Sequence, residues 1–243
     1  MLSVVTLRES LARAWVTVGV PGTTHPHGST YVSYSSDRLP TLPTALSEGD
    51  GLGWLRQLPT IGSGMTPDEF SYATTAMSSE GVQRLLQAAG TQVPFEQLPG
   101  DLRAFASERD LHRRLYSATG SYVDAGEHLE PVPGGHLLHL VSDSQWALHW
   151  LAFVGNDGYT GVVCSAIGLG YVADAEDAGA PSLSTAEPVW VADSVAEFVW
   201  RWWADNYAFA AAHPDLCPPL RAPDWFDLVT YTAGYTADTT ETY

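Results

Sequence analysis

Between Gly135 and Ala166 three apolar runs follow one another closely: Gly135–Val141 (GHLLHLV), Trp146–Val154 (WALHWLAFV) and Tyr159–Ala166 (YTGVVCSA). Each is bounded by turn residues, the pattern of strands rather than of long helices. Gly155-Asn156-Asp157-Gly158 separates the last two, and Asn/Asp-Gly steps readily take the positive φ that a tight hairpin needs. The spacing predicts a hairpin over Trp146–Cys164, turning at Asn156-Asp157-Gly158 and lying beside the Gly135–Val141 strand.

The flanks read differently. Thr6 and Glu9 have capping-box spacing, and Leu7, Leu11, Ala14 and Trp15 share a helical face that Pro21 stops, so a short helix is expected there. From Gly22 to about Pro67 the chain is rich in Gly, Pro, Ser and Thr. It reads as an irregular arm with one plausible strand, Ser29–Ser35, laid over the core by Tyr31, Tyr34 and Trp54. Helices are expected near Ser79–Ala89, ending at Gly90, and from Asp101 as N-cap through Leu102, Phe105, Leu111, His112, Leu115 and Tyr116 to Gly120. Val189-Trp190-Val191 gives a further strand. Ser194 and Glu197 form a second capping box that opens a helix Val195–Tyr207, whose stripe of Val195, Phe198, Val199, Trp202 and Trp203 should cover one sheet face. The Thr/Tyr-rich end of the chain is expected to be partly disordered.

Helices, then a strand meander, then a closing helix define an α+β fold, with an antiparallel or mixed sheet and helices mainly on one face. The organisation expected is an N-terminal helix and arm over 1–91, a core over 92–212 and a tail over 213–243.

Chemistry is narrowed by what is missing. All 11 basic residues are arginine, which excludes the P-loop lysine, Schiff-base catalysis and the Ser-x-x-Lys nucleophile. The two cysteines, Cys164 and Cys217, make no metal or redox motif, and free thiols are expected. No apolar run reaches the roughly 20 residues of a membrane span. Arg8 and Glu9 interrupt the first apolar stretch, so no signal peptide and a cytoplasmic location are expected.

The net charge of −17 is unevenly placed: residues 115–200 carry 11 acids and no basic residue. Phosphate contacts need Arg or Lys, so nucleic acid is not the expected partner. Such a stretch can steer a basic protein, or simply keep the chain soluble. Asp157 at the hairpin tip and Asp174, Glu176 and Asp177 in the following loop are the candidate partner-binding residues.

Other constellations are weaker. His136 and His139 would face opposite sides of a strand and cannot jointly grip a metal. Cys164 lies in an apolar run, where thiols are usually buried and inert. Gly168-x-Gly170-x-x-Ala173 matches the dinucleotide fingerprint formally, yet Asp174, Glu176 and Asp177 stand where a pyrophosphate would sit. No metal or cofactor is expected. Trp146 and Trp150 are read as sharing a sheet face, in the core unless one is exposed as an interface anchor.

Leu98-Pro99-x-x-Leu102-Arg103-x-Phe105, Asp143-x-Gln145-x-x-x-x-Trp150, the Gly-Asn-Asp-Gly turn and Pro188-Val-Trp190-x-x-Asp193-Ser194-x-x-Glu197-Phe198 follow one another in the chain. This order resembles the SUKH superfamily over roughly residues 92–210. Ser117–Tyr122 (SATGSY) replaces the acidic helix and turn usual there. The resemblance implies a SUKH-like α+β core and a bacterial immunity-type protein, which binds and blocks a toxin domain, often a nuclease. The alternative is an enzyme of small-molecule metabolism, with a pocket between the arm and the sheet and His139, His149 or Asp143 as acid/base.

Overall fold

The three apolar runs form the middle of an antiparallel sheet in a computed structural model of the chain. It describes residues 7–21, 30–61, 79–88, 94–123, 129–166, 168–169, 187–217 and 219–236. In chain order the elements are α1 (Leu7–Ser10), β1 (Ala14–Val18), β2 (Tyr31–Ser35), α2 (Gly53–Gln57), α3 (Ser79–Ala88), α4 (Gly100–Ser107), α5 (Arg109–His112), β3 (Tyr122–Val123), β4 (Leu129–Val132), β5 (Gly135–Ser142), β6 (His149–Gly155), β7 (Thr160–Ser165), β8 (Val189–Ala192), α6 (Val195–Ala212) and α7 (Leu228–Thr236). The sheet order is β3-β5-β6-β7-β8, with β4 also paired to β5, and every pairing is antiparallel. The hairpin turns at Asn156-Asp157-Gly158, as its sequence requires, with Gly158 at φ 82°.

Both faces of this sheet are covered. On one, Leu138, Leu140, Val141, Trp150, Ala152, Val162 and Val191 meet Val195, Phe198, Val199 and Trp202 of α6 in the main core. On the other, Leu137, Leu151, Phe153, Val163 and Trp190 form a smaller core against Leu7, Leu11 and Leu169. A bulge between His139 and Val141 puts both Leu140 and Val141 on the α6 side and leaves His139 on the opposite one.

The capping box forms as read. The Ser194 hydroxyl accepts from the Glu197 amide (3.1 Å), and the Glu197 carboxylate accepts from the Asp193 amide (3.2 Å). The α6 helix then runs to Ala212, five residues past Tyr207.

Three local expectations are corrected. Leu7–Trp15 is not one helix: α1 ends at Ser10, and Ala14–Val18 is a strand paired antiparallel to β2. Leu7, Leu11 and Trp15 keep helical spacing, but AWVTV also alternates and is rich in β-branched residues. The residues just before it meet β8, with the Trp190 amide donating to the Ala12 carbonyl at 2.8 Å.

The helix expected from Asp101 to Gly120 breaks at Glu108 (φ −97°, ψ 90°). His112 Nε2 donates to the Phe105 carbonyl (2.7 Å), the acceptor that residue 109 would use in a continuous helix. Asp101 is not its N-cap, which is Pro99.

Within the tail, residues 228–236 are helical. Tyr231 and Tyr235 are buried, and both hydroxyls donate to Asp205 at 2.7 Å. Residues 237–243 lie outside the described residues. No helix among the described residues is long and apolar enough to cross a membrane.

Candidate functional site

The face of the sheet away from α6 carries the chemistry. At the hairpin end, Asp157 is exposed, and its Oδ1 accepts from the Tyr159 amide (3.1 Å), which fixes the turn. Beside it a cleft of about 660 Å³ is lined by Arg8, Glu9, Arg13, Gly134, Phe153, Asn156, Asp157 and Tyr159. Arg8 and Arg13, more than a hundred residues upstream, both reach Asp193 Oδ1, at 3.2 and 2.6 Å. Trp190 Nε1 and the Tyr159 hydroxyl donate to the same oxygen. Burial works to raise the Asp193 carboxyl, but the hydrogen bonds from Arg13 and Trp190 and the two positive charges outweigh it and hold it low. The 86-residue stretch without a cation thus receives two by tertiary contact.

The enzyme alternative places a pocket between the arm and the sheet; this cleft lies instead between the N-terminal segment and the sheet, and none of His139, His149 or Asp143 lines it. His139 and His149 lie on the same face of the sheet, stacked at 5.5 Å with planes 5° apart, and both are buried. His139 Nε2 accepts from the Leu169 amide (2.8 Å), and the Ser142 hydroxyl bonds His149 Nδ1 (3.0 Å). An imidazole nitrogen occupied by a backbone amide is not available as a base at that atom. His136 pairs with Val154 across the sheet and takes no part in this stack.

Asp143 points elsewhere. Its Oδ1 accepts from the Tyr31 hydroxyl, and its Oδ2 accepts from the amides of Gln145 (3.0 Å) and Ala147 (3.3 Å). Its carbonyl accepts from Trp146 at 2.9 Å. These bonds wind the β5–β6 turn tightly enough to force Trp146 to φ 60°, in the left-handed region that bulky residues avoid. Trp146 is therefore not on β6 and does not share a face with Trp150. It is 50% exposed and touches His149 edge-on at 5.5 Å, whereas Trp150 is fully buried on the α6 side. Asp143 acts as a scaffold for the presentation of this ring.

Asp174, Glu176 and Asp177, and Gly170 with Ala173 of the formal dinucleotide match, lie outside the described residues. Burial pushes the Cys164 thiol well above its ordinary value, which fits an inert core thiol. Cys164 and Cys217 are both free. Arg8 and Arg13 escaped the sequence reading because their partner is remote in the chain. The one available signal was that they are the cations nearest the apolar Leu7 and Leu11, which pack beside Trp190.

No family model, no curated protein and no solved structure matches this chain.

Proposed function

We propose that the chain is a protein-binding module of immunity type, acting in the cytoplasm on a basic partner such as a nuclease toxin domain. The resemblance of residues 92–210 to the SUKH superfamily motivates the partner class. The observation that carries the reading is Trp146, half exposed and held in a left-handed conformation by a buried aspartate. That backbone costs roughly 1–2 kcal/mol for a residue with a side chain, and Trp is the residue most enriched at interface hot spots. Strain that displays an aromatic ring outward serves contact with another molecule rather than this fold.

Inhibition works by occlusion. Trp146 anchors the contact, and the acids of residues 115–200 draw in and meet the cationic, substrate-binding side of the toxin. Catalysis by His139, His149 and Asp143 has less support, since Asp143 faces away from the stacked pair.

The test is co-expression with a cationic nuclease domain encoded beside this chain, scored by growth. A titration of purified chain against nuclease activity accompanies it. The expected result is protection and stoichiometric loss of nuclease activity, both abolished in Trp146→Ala. Growth arrest and full nuclease activity with excess folded chain would overturn the proposal.

A further inference from the structure

The cleft at the hairpin end is built around two guanidinium groups that converge on one oxygen. A guanidinium carries five N–H donors. Among the described residues Arg8 and Arg13 each direct one ion-pair contact to Asp193, and their side chains remain 41% and 43% exposed. Asp193 Oδ1 accepts from Trp190 and Tyr159 and pairs with the Arg8 and Arg13 guanidiniums, so that oxygen is fully engaged. The remaining donors line a cleft whose volume of about 660 Å³ lies in the range of small-molecule sites.

Packed rings buttress the cleft. Phe153 packs edge-on against Trp190 (5.7 Å), Tyr159 stacks on Trp190 (6.2 Å, 15°), and the Arg8 guanidinium lies 4.8 Å over the Tyr159 ring. These rings and the Asp193 contacts position the guanidiniums before any ligand arrives, which reduces the ordering needed on binding.

We propose that this cleft binds a small organic oxyanion, with its charged head on Arg8 and Arg13. Paired guanidinium forks match the geometry of carboxylate and phosphate alike. Glu9 and Asp157 at the lining repel polyanions, so the ligand is a compact group of low charge and not a nucleic acid. The site is separate from the Trp146 turn, which lies at the opposite end of β6, and it does not depend on the protein-binding reading.

The experiment titrates the full chain with benzoate and, separately, phenyl phosphate at constant ionic strength, by calorimetry and Trp fluorescence. Benzylamine serves as the cationic control. The expected result is saturable binding of at least one anion, with Kd on the order of 1 mM or tighter, and none of benzylamine. The arm that saturates identifies the head group. Arg8→Gln/Arg13→Gln should weaken binding at least tenfold. Asp157→Asn, whose amide oxygen can still accept from Tyr159, should tighten it. Thermal melts keep the comparison among folded variants. Absence of saturation with either anion overturns the proposal. So does binding that is unchanged in both variants, or equal binding of benzylamine.

Discussion

The amide of Ala196 donates a 3.0 Å hydrogen bond to the carboxylate of Asp101, ninety-five residues earlier in the chain. Ala196 is the second residue of α6, so the carboxylate satisfies one of the open N–H groups there and meets the positive end of the helix dipole. Its other oxygen accepts from Leu102 at 2.8 Å within α4. One buried side chain thus ties the Leu-Pro helix to the helix that covers the sheet.

Asp101→Ala removes that tie and leaves a buried amide unpaired. Loss of an N-cap costs about 0.5–2 kcal/mol, and an unsatisfied buried group about 1–3 kcal/mol. We expect a destabilisation of about 2 kcal/mol by urea denaturation, with Asp101→Asn recovering at least half of it. A change below about 0.5 kcal/mol would show that α4 and α6 are held by apolar packing alone.

Asp205 predicts a pH dependence. It is fully buried and accepts from Trp15 Nε1, Tyr231 and Tyr235, which join β1, α6 and α7. Burial pushes its carboxyl up to about 6 from the usual 3.8, against the pull of its hydrogen-bond donors. The folded chain therefore holds this proton more tightly than the unfolded chain does. Its contribution is full below about pH 4, falls as pH rises, and is lost above about pH 6. The loss from this one group is on the order of 3 kcal/mol. Denaturation midpoints from pH 4 to pH 7 should fall more steeply for wild type than for Asp205→Asn. Parallel profiles would mean that Asp205 does not carry a raised pKa.

The sheet was legible because its signals are local. Asn-Asp-Gly sets a turn, apolar runs bounded by turn residues set strands, and Ser194 with Glu197 sets a helix start within four residues. The errors fall where distant groups decide. Ala14–Val18 is a strand because β2, from the following segment, pairs with all five of its residues, and the α4 helix stops because His112 reaches back to Phe105. Residues 228–236 fold as a helix because Asp205 lies buried beneath two tyrosines. For the sites, the sequence named His139 and His149 as candidates without announcing that their rings stack. The separation of Asp143 from that stack depended on Tyr31, and the cations of the cleft depended on Asp193, and no local pattern announces either contact.

Trp146 offers a test that separates display from support. Trp146→Gly suits φ 60° and gives up the edge contact with His149. Its stability should stay within about 1 kcal/mol of wild type, since relief of strain offsets lost packing. Affinity for a basic partner of the proposed class should fall at least tenfold, in keeping with a hot spot of about 2 kcal/mol or more. A large loss of stability would instead make the ring a structural plug over His149.

Electrostatics gives the last prediction. The acids of residues 115–200 should speed association with a basic partner, and the Debye length shrinks from about 30 Å at 0.01 M salt to about 10 Å at 0.1 M. The on-rate for a cationic nuclease domain should therefore fall steeply over that range. Asp157→Asn, Asp174→Asn, Glu176→Gln and Asp177→Asn together should slow association while the melting temperature stays nearly constant. Asp157 is exposed, and an exposed substitution usually changes stability by no more than about 0.5 kcal/mol. Arg8→Gln/Arg13→Gln makes the opposite change, because it removes the two positive charges that the fold sets beside the hairpin tip. Its on-rate should exceed that of wild type at low salt and converge with it at high salt. Stopped-flow association across ionic strength reads all three proteins. A rate independent of salt, or three coincident curves, would mean that the acidity serves solubility alone and that Trp146 must account for recognition without steering.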